Sequence, residues 1–181
     1  MGQRSPYIGE SEIRFYPDYM SDTVVVDFGC GNNKLQQANI GIDIRPETDA
    51  DIVVDAISTG LPFNDNSIDC IYCYDVLEHI GEGIVDLIED FHRVLKLEGQ
   101  IIAKIPMMDP PSQNPLHRRT FDPEWFYSWD PSRTEHNKWD NFQCVPFNVT
   151  QSDHKRWWRR PWRIVWREFT MEKINSCPDH L

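Results

Sequence analysis

The sequence predicts an α/β fold built on a mainly parallel sheet, and three observations carry that prediction. Val24–Val26 lead through Asp27 and Phe28 into Gly29-Cys30-Gly31, a short apolar strand that stops in a tight glycine turn. Further short apolar runs follow at Ile40–Ile44, Asp51–Asp55, Ile68–Tyr74 and Gln100–Ile105. Between the last two, Ile84, Leu87, Ile88, Phe91 and Leu95 fall at i, i+3, i+4, i+7 and i+11. That spacing is one apolar stripe of a helix, the usual crossover between parallel strands.

Length and composition narrow the class. At 181 residues the chain is the size of one domain and can bury a sizeable core. It is 40% hydrophobic and 26% charged, ordinary for a globular protein, and no run approaches 18 apolar residues. MGQRSPYIGE has no apolar segment of a secretory signal and misses the myristoylation pattern by one place. Five cysteines, an odd number without framework spacing, suggest free thiols in a reducing cytoplasm. The net charge is −11, but residues 151–181 carry seven Lys and Arg against four Asp and Glu, which leaves −14 for residues 1–150. So acidic a body argues against non-specific nucleic-acid binding by the whole surface.

Each element follows from local chemistry. Residues 1–22 mix Pro, Gly, Ser and aromatics without periodicity and read as a short cap. The first strand is Thr23–Phe28. Only eight residues, Asn32–Asn39, separate its turn from the second strand, Ile40–Ile44, so any helix there is a turn or two at most. Arg45–Ala50 leaves no room for a helix before the third strand, and Pro46 restricts Arg45 away from helical angles. Ile57–Ser67 reads as loop, with Gly60, Pro62 and the Asn64-Asp65-Asn66-Ser67 cluster. Ile68–Tyr74 is apolar on both faces, like a central parallel strand. Gly81 and Gly83 precede the helix, which runs to about Lys96 with Gly99 as its cap. After Pro106 the chain is proline-rich up to Asp122-Pro123-Glu124, an N-cap followed by proline at the first helical position. That short helix carries Trp125, Phe126 and Trp129, and strands at Phe142–Thr150 and Trp162–Ile174 complete the sheet.

The glycine turn reads as a ligand site, because bare main chain lets a ligand lie against it at the carboxyl end of a parallel strand. A dinucleotide fingerprint would have a third glycine where Lys34 stands, and Asp27 would repel a pyrophosphate. A cofactor with a cationic end and no phosphate suits the turn better. The words DFGCGNNK (Asp27–Lys34), IGIDIRP (Ile40–Pro46), DIVVDA (Asp51–Ala56), LPFNDNSID (Leu61–Asp69), YDVLEHI (Tyr74–Ile80) and FHRVLKLEGQI (Phe91–Ile101) follow one another in order. Together they resemble the class I S-adenosylmethionine-dependent methyltransferases, closest to the small "type 11" branch with a GCGxNK turn. Pro115–Phe121 adds a similar P-x-H-R-x-x-F word.

The resemblance implies a Rossmann-like, three-layer fold with a seven-stranded, mostly parallel sheet and an antiparallel last strand, its helices reduced between strands 1 and 2 and between 2 and 3. It implies S-adenosylmethionine held by Asp27, Phe28, Gly29, Cys30 and Gly31 in the turn. Asp43 and Ile44 would take the ribose side, Asp55 and Ala56 the adenine, and Cys73 would lie beside the transferable methyl. An acidic strand-end residue suits a ribose because a carboxylate can accept from both hydroxyls. A single domain over 1–181 is expected: a cap at 1–22, a cofactor core at 23–106 and a substrate side at 107–181.

Methyl transfer needs a positioned acceptor and, for a hydroxyl, a base. The candidates are His117, His79 and Asp75, with Glu78 and Asp109 beside them in sequence. Related magnesium-binding O-methyltransferases carry E-x-x-E-H after strand four, and Asp75-x-x-Glu78-His79 with His117 resembles that set, so a magnesium site is an open alternative. The tip Lys155–Arg163 alternates basic and aromatic residues, which would suit a single-stranded nucleic acid, a packed hairpin or an oligomer contact. The acceptor is expected to be a small molecule or glycan methylated on O or N. RNA or protein is the alternative, and a cofactor-binding accessory protein without turnover a third; no membrane partner is expected.

Overall fold

A computed structural model describes residues 23–108, 115–133, 145–154 and 164–174. Seven strands make one sheet: β1 (Val25–Phe28), β2 (Ile40–Asp43), β3 (Ile52–Val53), β4 (Ile68–Tyr74), β5 (Leu95–Met108), β6 (Phe147–His154) and β7 (Ile164–Lys173). Their spatial order is β3-β2-β1-β4-β5-β7-β6. The first five are parallel, and β7 runs antiparallel to both β5 and β6. The order reverses between β1 and β4, so the carboxyl ends of those two strands open the crevice where such sheets bind ligands.

Side-chain alternation divides the sheet into two faces. Val26, Phe28, Ile71, Cys73, Ile101, Ala103, Ile105, Phe147, Val149, Phe169 and Met171 form the buried face. On it lie α1 (Ala56–Thr59), α2 (Ile84–Val94) and α3 (Pro123–Tyr127). Phe91 of α2 meets Phe28 edge to face at 5.1 Å, and Phe126 of α3 stacks on Phe169 at 3.9 Å. Because Phe126 is fully buried, Phe126→Ala is expected to cost about 3–5 kcal/mol. A urea titration would show this as a lower midpoint at unchanged slope; an unchanged midpoint would mean that α3 is not docked.

The opposite face shows why the early crossovers can be short. Asn32–Asn39 and Arg45–Ala50 contain turns and no helix, as their lengths predict. Side-chain acceptors replace the missing helices. Asn39 pairs with Val25 through both its own backbone N–H and its side-chain oxygen, each at 2.8 Å. Asp51 accepts from the Gly41 N–H and from Lys34 at 2.7 Å. Asp69 accepts from the Val24 N–H at 2.7 Å, and Asp27 from the Leu35 N–H at 2.9 Å. The third layer over β1 and β2 is therefore a loop. Further along this face Tyr74 donates to Glu168 and Gln100 to Glu172, a half-buried polar ladder.

Three boundaries differ from the sequence expectation. Ile57–Ser67 opens with a helical turn, because Asp55 caps α1 by accepting from the Ser58 N–H and Oγ. Helix α2 closes at Val94, and β5 begins at Leu95 with a register shift against β4. Gly99 is thus no helix cap: a Cβ there would lie 2.8 Å from the Lys96 carbonyl and within 3.2 Å of two more. The tip Lys155–Arg163, the cap 1–22 and Asp109 lie outside the described residues. No helix among the described residues is long and apolar enough to cross a membrane.

Candidate active site

The glycine turn is shaped from two sides. Gly29 (φ +76°) and Gly31 (φ +57°) both adopt left-handed backbone, which glycine takes without steric cost. A Cβ on Gly29 would stand 2.4 Å from Cγ2 of Val76, in the segment after β4. The glycine lets the ends of β1 and β4 close on each other. The Gly29 and Cys30 N–H groups both donate to the Ile42 carbonyl at 2.8 and 3.0 Å, tying the turn to β2. Asp27 is nearly buried, and that burial pushes its carboxyl up despite the Leu35 N–H. Burial likewise pushes the Cys30 thiol up to about 11, so it is a packing group and no nucleophile.

The end of β2 carries the second group. Asp43 is nearly buried and accepts from the Gly31 N–H at 2.9 Å, the Arg45 N–H at 2.9 Å and the Arg45 guanidinium at 3.0 and 3.1 Å. Burial opposes its charge, but the Arg45 contacts and the Gly31 N–H outweigh it and hold the carboxyl below its usual range. Ile44, next in the chain, is half exposed, an unusual setting for an isoleucine at a strand end. Asp55 and Ala56 head α1 one strand away, with Asp55 as its cap and Ala56 buried. Cys73 has its side chain fully buried in the core, on the face opposite Tyr72 and Tyr74, so only its backbone at the end of β4 could border a ligand.

The third group forms where β4 ends. Asp75 takes left-handed backbone (φ +56°), a strained conformation for a residue with a side chain. It turns the chain into a single 3₁₀ turn, Leu77–His79. The loop after β5 is pinned on that turn, because the Glu78 carbonyl accepts from the Arg118 and Arg119 N–H groups at 2.8 and 3.3 Å. Arg119 also donates its side chain to the Ile80 carbonyl at 2.8 Å and to that of Gly81. His117 is thereby delivered to Glu78, with Nε2 4.0 Å from Oε1, and its ring meets that of His79 edge to face at 4.8 Å.

Electrostatics give the cluster its chemistry. Glu78 is 2% exposed, and its Oε2 has no hydrogen-bond partner. Burial pushes its carboxyl up to about 7, with Asp75 adding to the effect. Burial also lowers His117, helped by His79, so His117 is neutral near pH 7. The His79 Nδ1 lies 3.2 Å from the Leu116 carbonyl, which can only accept, so Nδ1 is the donor of that bond. One ligand atom each from Glu78, His79 and His117 lies within 4.8 Å of the others, near enough to share a cation.

Asp75 is not part of that trio; its carboxylate is turned toward Lys104, 3.8 Å away. One carboxylate with two imidazoles fits manganese, cobalt or zinc better than magnesium, which wants an all-oxygen shell. The structure brings Glu78, His79 and His117 together and turns Asp75 toward Lys104. Sequence reasoning missed Arg45 on Asp43, the Leu116 carbonyl on His79 and the Val76 contact with Gly29. For Arg45 a signal existed: an arginine two residues after a strand-end aspartate can fork back onto it.

Comparison with known proteins agrees with this geometry. Residues 26–103 match the family model described as a methyltransferase domain. The fold is shared with a SAM-dependent methyltransferase from Archaeoglobus fulgidus (15% identity, 83% of this chain and 86% of that one, TM-score 0.57). It is also shared with one from Methanosarcina mazei (16% identity, 90% and 99%, TM-score 0.55). The small RNA methyltransferase HEN1 is similar at 18% identity and TM-score 0.54 over 86% of this chain, which spans 24% of that longer protein. No curated protein matches the sequence. The expected Rossmann-like fold, a seven-stranded and mostly parallel sheet with an antiparallel last pair, is the fold these solved structures share.

Proposed function

We propose that this chain, a single methyltransferase domain, moves a methyl group from S-adenosylmethionine to a hydroxyl on a small molecule or sugar. The observation that supports this reading is the buried Glu78 carboxyl, one oxygen of it unpartnered, gathered with His79 and His117 just after the carboxyl end of β4. The cofactor supplies a methyl group on a sulfonium, ready for in-line displacement. The protein must supply orientation and a destination for the hydroxyl proton. Neutral His117 takes that proton on a ring nitrogen, and Glu78 stabilises the resulting imidazolium. His79, held at Nδ1 by the Leu116 carbonyl, stands edge to face with the His117 ring.

A divalent ion held by Glu78, His79 and His117 would do the same work differently, by lowering the pKa of a bound hydroxyl. Transfer of radiolabelled methyl to a panel of phenols, catechols and sugars separates the two. His117→Ala is expected to cut turnover by ~10²-fold or more with cofactor affinity nearly unchanged. Loss on EDTA treatment, restored by manganese or zinc, assigns the trio as ligands; indifference to EDTA assigns His117 as base. Full activity in His117→Ala would refute both. Label appearing only on co-purified RNA or protein would move the acceptor to those classes. Cofactor binding without transfer to any acceptor would mark an accessory role.

A further inference from the structure

We propose that Arg45 occupies the ribose subsite as an internal substitute for the cofactor's two hydroxyls and must be displaced before the cofactor binds. The inference rests on the reading of Asp43 as the ribose acceptor, and it starts from a count. A carboxylate offers about four lone-pair positions. At Asp43 all four are taken: Oδ1 accepts from the Arg45 N–H and Nε, and Oδ2 from the Gly31 N–H and the second Arg45 guanidinium nitrogen. A ribose diol has nothing left to bond to. Two of those donors are backbone groups, one in the glycine turn and one just after β2. The other two belong to a side chain that is 57% exposed and free to leave, whereas the carboxylate side chain is 5% exposed.

The exchange is one for one. A guanidinium fork presents two parallel N–H donors to the two oxygens, and a cis-diol presents two O–H donors at similar spacing. Displacement therefore leaves Asp43 as fully bonded as before, and the Gly31 N–H keeps its place. The same nitrogen of Arg45 stands 3.3 Å from the position of a Gly31 Cβ, so the fork lies directly over the turn that the ligand would approach. A ligand without both hydroxyls has nothing to exchange. Arg45 thus sets specificity: it keeps a nearly buried carboxylate bonded and yields only to a diol.

The experiment is calorimetry with S-adenosylhomocysteine and its 2′,3′-dideoxy analogue on the wild type, Arg45→Ala and Asp43→Ala. A half-exposed fork contributes modestly, so Arg45→Ala is expected to bind S-adenosylhomocysteine about fivefold more tightly. Its affinity for the dideoxy analogue should not change. The Arg45 Nε–H resonance, protected in the free wild type, should lose protection when S-adenosylhomocysteine is added. Weaker or unchanged binding of S-adenosylhomocysteine by Arg45→Ala, or equal tightening toward both ligands, overturns the proposal. The cofactor reading fails separately: S-adenosylhomocysteine would then bind neither the wild type nor Arg45→Ala, and Asp43→Ala would change nothing.

Discussion

Glu78→Gln is expected to be more stable than the wild type above pH 7 and to lose methyl transfer by ~10²-fold or more. The stability gain follows from the buried carboxyl, which titrates near 7 in the folded chain against 4.5 when free. Below 4.5 both states hold the proton and nothing is lost. Between 4.5 and 7 the unfolded chain releases it first, so wild-type stability falls as pH rises, and above 7 the cost is complete. At 2% exposure solvent screens it little, and it amounts to about 3 kcal/mol. Glutamine does not titrate, so thermal melts of the variant should lack this slope. A variant that is less stable at pH 8, or fully active, would show that Glu78 is an ordinary packing residue. If the trio holds a divalent ion, adding manganese or zinc should flatten the wild-type slope as well, because the ion needs the carboxylate ionised.

Gly29→Ala should remove cofactor binding and cost roughly 2–4 kcal/mol, the sum of left-handed strain and an overpacked contact. The contact dominates, since the new methyl would stand 2.4 Å from Val76 Cγ2 and 2.9 Å from its Cβ. The double variant Gly29→Ala/Val76→Gly separates the causes. It should recover part of the stability, leaving the φ penalty behind. Were the single variant as stable as the wild type and still able to bind S-adenosylhomocysteine, the close approach of the β1 and β4 ends would not be what shapes the turn.

Much of this architecture was legible because it depends on short-range signals. Val24–Phe28 and Ile68–Tyr74 are apolar runs ended by a glycine turn and by a polar residue, and Asp122-Pro123 is a helix start in three residues. The missing helices were a matter of counting residues between strands. The end of α2 was harder. Lys96–Gly99 has the composition of a helix end, but β4 pairs with Leu95 and captures the chain before a cap can form. The helical turn after Asp55 was read as loop, because a capping contact to Ser58 needs only three residues of spacing and leaves no apolar period. In the site, the meeting of His117 with Glu78 and His79 was legible from topology, because the loop after strand five opens beside the end of strand four. The two backbone bonds from Arg118 and Arg119 to the Glu78 carbonyl, which pin the loop there, have no pattern in the sequence. The burial of the Cys73 side chain follows from alternation along β4, which puts it on the face opposite Tyr72 and Tyr74.

Replacing two helices with side-chain acceptors also divides the molecule dynamically. The β4–β5–β7 half is backed by α2 and α3 and shields its amides under a continuous apolar layer. The β1–β2–β3 half holds the amides of Val24, Val25, Gly31, Leu35 and Gly41 through single oxygens of Asp69, Asn39, Asp43, Asp27 and Asp51. Such bonds open one at a time, without disturbing a packed helix. In native-state hydrogen exchange these five amides should therefore form a separate, faster-opening unit, exchanging by local fluctuation while β5 waits for global unfolding. The cofactor would bind on that looser half, so its arrival should slow exchange there most, turning the least protected strands into a rigid shelf.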